Sequence, residues 1–212
     1  MSAEVKRSVL QLSRLERIMD VVFALVIWRL FTFLPTQKVG EGKWASVSEM
    51  LIAEWQVFVF VLLAVVIVII YWLQNNSLLG NLKKTDGIHT AISIFQLFFV
   101  LLFIYSIGAG VRAGGGVDAS AFESITAMMV GLMSLLAWHY AMHKGGLLDP
   151  ELSAEDAVYI RQKNMAEPIT AALTIPFAFV GPLAWELSWF LYPFIKYLYS
   201  RVKKPENVQS NN

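Results

Sequence analysis

From Leu15 onward the chain alternates long apolar runs with short polar connections, and the runs have membrane length. About 20 helical residues, rising 1.5 Å each, cross a hydrocarbon core of roughly 30 Å. By that yardstick six spans are expected: about Leu15–Leu34, Met50–Leu73, Ile88–Gly108, Ser120–His143, Glu167–Val180 and Pro182–Tyr199. The second, containing VFVFVLLAVVIVIIYWL, is the strongest. The last two come from one apolar stretch broken at Gly181-Pro182. Proline opens a helix without losing a needed N–H, so a tight turn between two helices is expected there; one kinked helix is the alternative. The pattern predicts an all-α membrane protein with six transmembrane helices in a single domain, residues 1–200, followed by a disordered polar tail, 201–212.

Composition sharpens the class. Of 212 residues, 57% are hydrophobic and 16% charged, against roughly 25% charged in a soluble domain. The charges are segregated, which a soluble core does not require. The net charge of +1 gives no basic stripe for nucleic acid. The absence of cysteine excludes disulfides, thiolate catalysis and iron–sulfur ligation. The polar opening, MSAEVKRSVLQLSRLER, is too long to lead a cleavable signal peptide, so the first apolar run is expected to stay in the mature protein.

Basic residues set an expected orientation. With six spans, the side holding both termini collects 13 Lys and Arg, and the other side only Lys38, Lys43 and Arg112. The positive-inside rule then makes both termini cytoplasmic, in a multi-pass protein of the plasma or inner membrane. Arg29 is left over inside the first span.

Candidate chemistry is sparse. GAGVRAGGGVDAS lacks the spacing of a phosphate-binding loop and has no strand before it, so it reads as a flexible outer linker. The segment LLDPELSAEDAVYIRQKNMAEP is consistent with a short interfacial helix. His139 and His143 share a helical face, but HYAMH lacks the glutamate of HExxH, and His89 is the only other histidine. No catalytic group set, metal site or cofactor is expected, and an enzyme is not. Glu54, Glu123 and Glu167 sit at helix starts, where the macrodipole favours an anion. Glu186 lies deeper in its helix and should find a partner or face water. Gln96, mid-span, is expected to hydrogen-bond across helices, contributing about 1 kcal/mol.

The densest unexplained polarity is in RLERIMDVVFALVIWRLFTFLP, residues 14–35. Val21, Leu25, Trp28 and Thr32 share one face, with Arg29 on its flank. Arg29 lies about 9 Å along the axis from Pro35, within snorkelling reach of the outer interface. As an anchor it would point there. As a functional group it would face a pore, Glu186 or Glu54.

Arg14-Leu-Glu-Arg-Ile-Met-Asp20-Val-Val-Phe-Ala resembles the RxxxFSD signature of the transmembrane-protein-175 potassium channels, commonly RLEAFSDGVFA. The run from Tyr71 to Asp86, YWLQNNSLLGNLKKTD, resembles that family's YWxxHHxLFxxIxxxD, with Asn75-Asn76 replacing two histidines. ITAALTIPFAFVGPLAW resembles its closing helix pair. The resemblance implies a homotetramer in the lipid bilayer conducting potassium or other monovalent ions through a pore lined by the first helices. It implies a hydrophobic constriction starting at Leu25, with Trp28 and Thr32 further along, and an inner-end network built on Arg14 and Asp20. The chain departs from the family at Met19, in place of the signature serine, and at Trp28, in place of a threonine. Arg29 stands where an aliphatic residue is usual. Four such arginines near an axis would repel potassium. A non-conducting scaffold or sensor of the same fold, and an anion-selective pore using Arg29, are the alternatives.

Overall fold

The computed structural model describes residues 3–36, 42, 44–113 and 115–200. Lys38, Lys43 and the expected tail, 201–212, lie outside the described residues. The described chain is helical, in the order α1 (Ala3–Phe31), α2 (Val47–Ala53), α3 (Trp55–Leu79), α4 (Gly87–Ala113), α5 (Val117–Lys144), α6 (Ala154–Asn164), α7 (Ala166–Ala178), α8 (Pro182–Ser188) and α9 (Leu191–Ser200). Among these, α3, α4 and α5 are long and apolar enough to cross a membrane by length and composition.

The first helix starts twelve residues earlier than its apolar run, because the polar lead is rich in good helix formers and free of Gly and Pro. It ends in a tightened turn before Pro35, where Thr32, Phe33 and Leu34 donate to carbonyls three residues back. The expected second span is divided. Ser46 caps α2 by accepting from Glu49 N–H, and the Glu49 carboxylate accepts from Ala45 N–H. A break at Glu54 then separates α2 from α3. No glycine or proline explains that break.

The glycine-rich connection is a correction to the linker reading. Gly108 and Gly110 continue α4, and the reversal lies around Gly115 and Gly116, whose φ angles of 79° and 125° suit glycine. The segment before the last apolar stretch forms a short helix, α6, capped by Ser153. Helix α7 follows α6 across Met165. Pro168 lacks the N–H that would bond Asn164 C=O, so the helix is interrupted one turn before it. The turn at Gly181 (φ 148°) and Pro182 falls where the sequence places it. The expected final helix is itself split into α8 and α9. Pro193 cannot bond Trp189 C=O, and Trp189, Phe190 and Tyr192 adopt three-residue turns there.

Helix α5 is the hub, packing against α4, α6, α7 and α8. Its buried stripe is built from small residues, among them Ser124, Ala127, Gly131, Ser134 and Ala141. Small side chains at this spacing let neighbouring backbones approach closely, which is how helices pack where burial from water provides no drive. At Gly131 an added Cβ would lie 2.8 Å from Pro168 Cδ and 3.0 Å from Glu167 Oε1. Hydroxyl pairs reinforce the seam: Ser106 with Thr126 at 3.1 Å, and Thr174 with Ser124 at 2.8 Å.

Candidate pore helix and its inner-end polar network

Helix α1 has two unlike faces. Leu12, Leu15, Met19, Phe23, Val26 and Leu30 recur at 3-4 spacing and are buried against α3 and α4. The opposite side is uncovered by its own chain: Ile18, Val21, Leu25 and Trp28 are exposed, Trp28 at 67%. Thr32 continues that side. Both Trp28 and Arg29 therefore point away from the chain's own core.

Arg29 leans along its own helix. Its Nη1 donates to Thr32 Oγ1 at 2.5 Å, and the guanidinium sits 5.2 Å from the centre of the Phe33 ring. With Leu25 and Trp28 it borders a groove of about 310 Å³ between α1 and α4, closed on the α4 side by Leu101, Ile104 and Tyr105. Glu186 is exposed on α8, and its carboxylate makes no hydrogen bond or ion pair among the described residues. The structure thus places Arg29 with Thr32 and Phe33, and it does not bring Glu186 into a buried pair.

At the other end of α1, Asp20 Oδ1 accepts from Trp72 Nε1 at 2.9 Å, a bond from α1 to α3. Arg14 stands on the exposed side of α1, beside Arg7, Leu10 and Gln11, and makes no bond to Asp20 within the chain. Six residues turn a helix by about 240°, which puts Arg14 and Asp20 on different faces. One step toward the core, Asn75 Nδ2 donates to Met19 Sδ at 2.7 Å, with both residues buried. The two departures from the family pattern, Met19 for serine and Asn75 for histidine, touch each other. A thioether is a weak acceptor, and the amide is the donor that suits it.

Sequence reading missed the cluster that fixes the start of α4. Asp86 caps that helix: Oδ1 accepts from His89 N–H at 2.9 Å, and Oδ2 accepts from Tyr140 O–H at 2.8 Å on α5. Burial works against ionisation of Asp86. These two hydrogen bonds and the Lys144 charge outweigh it and hold the carboxyl below its usual range. Next to it, Thr85 Oγ1 meets His89 Nδ1 at 2.8 Å, and Thr85 N–H donates to Ser8 C=O on α1. Gln11 Nε2 donates to Thr90 Oγ1 at 3.0 Å. The connection before α4 is therefore bonded to the extra helical turns at the start of α1. An acidic residue immediately before a helical run was the available signal; its Tyr140 partner, 54 residues away, was not readable.

His139 and His143 are exposed with ring centres 4.1 Å apart, and His143 Nδ1 lies 2.8 Å from His139 C=O. No group of three or more His, Asp or Glu suited to a metal occurs among the described residues. Gln96 is buried, yet its side chain makes no interhelical hydrogen bond among the described residues; it lines a small cavity walled by both polar and apolar side chains.

An all-helical chain with three membrane-length apolar helices, and with buried polar pairs between helices, is a membrane protein. Residues 14–103, from the signature in α1 into α4, match the family described as the endosomal/lysosomal potassium channel TMEM175. The family recognised in the first helix is thus the family matched, and it is a family of ion channels and not of enzymes. No curated protein matches the chain, and no solved structure matches it.

Proposed function

We propose that the chain is the subunit of a homotetrameric potassium or monovalent-cation channel, with six membrane spans, cytoplasmic termini and α1 lining the pore. The observation that carries this reading is the two-faced character of α1. One stripe is packed on α3 and α4, and the other, Ile18, Val21, Leu25, Trp28 and Thr32, is left for a partner or a water path. Leu25 supplies the constriction, since a ring of aliphatic side chains gates by dewetting. Asp20, held by Trp72, and Arg14, on the uncovered side, organise the inner end. In a tetramer Arg14 reaches toward a neighbouring subunit.

Arg29 bears on selectivity. Its hydrogen bond to Thr32 and its stacking on Phe33 draw the guanidinium toward the α4 flank. That placement supports the cation reading over the anion-selective one.

Potassium flux into liposomes, compared between the wild type and Leu25→Ala, tests the channel. Leu25→Ala should conduct at least as fast as the wild type. Absence of flux in both, with a tetramer present by light scattering, would leave the non-conducting scaffold as the surviving reading.

A further inference from the structure

The inner half of the α4 stripe is polar where the outer half is apolar. His89, Ser93 and Gln96 continue as Val100, Phe103 and Ile107 at the same 3-4 spacing, and all six are buried. The polar half faces a cavity of about 10 Å³ that Asn75 of α3 and Ser134 of α5 also line. That is room for about one water molecule, provided it finds two to four polar partners.

The partners are present and underused. Ser134 is 2% exposed, and its Oγ, buried at the cavity, has no hydrogen-bond partner among the described residues. Gln96 is 3% exposed and makes no hydrogen bond among them. His89 commits Nδ1 to Thr85, so Nε2 is the nitrogen that can serve the cavity. Asn75 gives one Nδ2 hydrogen to Met19, which leaves its second amide hydrogen and Oδ1 for the cavity. A buried hydroxyl with no partner is costly, and a helix chosen only for packing would carry alanine there.

We propose that this cavity is a binding site for a single ordered water, bridging Ser134 and Gln96 to His89 or Asn75. A dehydrated metal cation fits poorly. The lining offers no carboxylate, few neutral oxygens against the six to eight a hard cation takes, and an imidazole among them. The water has a structural consequence for α1. By fixing the Asn75 amide it fixes the donor that meets Met19 Sδ, and so joins α4 and α5 to the inner half of α1 through one residue of α3. The site stands on the packing of one chain and holds whether or not the assembly conducts.

Thermal unfolding of the full chain in nanodiscs distinguishes a wet cavity from a dry one by sign. With a bound water, Ser134→Ala removes one of its partners and lowers Tm by roughly 2–4 °C. Ser134→Val expels the water, strands Gln96, and lowers Tm further. In a dry cavity both substitutions remove an unsatisfied hydroxyl, and Ser134→Val also fills space, so Tm would be unchanged or raised, and the proposal would fall. A map of the full chain in potassium-containing nanodiscs, at a resolution that shows other buried waters, gives the second measurement. A peak within hydrogen-bond distance of Ser134 Oγ and Gln96 supports the site. No peak there, or a peak that strengthens after exchange of potassium for thallium, overturns it.

Discussion

The Trp72 indole N–H and the Asp20 carboxylate meet at 2.9 Å, joining α3 to the acidic residue that closes the Arg14–Asp20 run of α1. Because Asp20 is on an exposed flank, its hydrogen bond is screened and falls below the range for buried charged acceptors, at about 1 kcal/mol. Trp72→Phe and Asp20→Ala should each lower Tm by roughly 2–4 °C. Together they should cost less than the two single effects added, because each removes the same bond. Additive losses in a double-mutant cycle would mean that the two side chains act independently.

Gly131 offers a steric test of the α5–α7 seam. A methyl group there collides with the Pro168 ring and the Glu167 carboxylate, so Gly131→Ala should destabilise by about 1–3 kcal/mol. Gly87 is the control. A Cβ at that position meets nothing within 4 Å, and Gly87→Ala should be neutral or stabilise by about 0.4–1 kcal/mol. Comparable Tm values for the two variants would contradict the close approach of α7 to α5.

Asp86 predicts a pH dependence with a definite sign. Its folded-state carboxyl is held below its ordinary value by the His89 N–H and Tyr140 O–H bonds, against the opposing effect of burial. A depressed carboxyl contributes stability that is fully present above the unfolded value, about 3.9, and is lost as pH falls through the lower folded value. Asp86→Asn should therefore cost stability between pH 5 and 8, with the gap to wild type closing below about pH 4. A gap that stays constant into acid would show that the carboxylate charge is not what matters.

Met19 is 1% exposed and touches Asn75. Met19→Ala should cost about 2–5 kcal/mol through the space it leaves. Met19→Leu should cost under about 1.5 kcal/mol in packing, with an added loss from the unmatched Asn75 amide. If unfolding midpoints place Met19→Leu at wild-type stability, the thioether contact contributes nothing measurable.

Under the channel reading, Arg29→Gln separates the flank position from an axial one. With the guanidinium on Thr32 and Phe33, removing it should leave the sign of the reversal potential in asymmetric KCl unchanged. A switch from anion to cation preference on that substitution would place Arg29 in the ion path.

The sequence by itself determined the class of this protein. Apolar runs of membrane length fix an all-helical, membrane-embedded chain, because backbone groups in hydrocarbon must bond within their own helix. It also located the proline-opened turn at Pro182, since proline acts through its own missing N–H, and the stretch beginning at Arg14 that matches the channel family. What the tertiary structure decided were the relations between segments distant in sequence. Periodicity places Asp20 on a face of α1; only packing against α3 brings it to Trp72. Gln96 is readable as a buried amide, yet its neighbours across the cavity, Asn75 and Ser134, lie on two other helices. Asp86 reads as a local cap, while its second oxygen is taken by a tyrosine of α5. Arg29 could have turned either way around its own helix, because its flexible side chain has no fixed target in the linear pattern. Thr32 and Phe33, three and four residues on, hold it on the α4 flank.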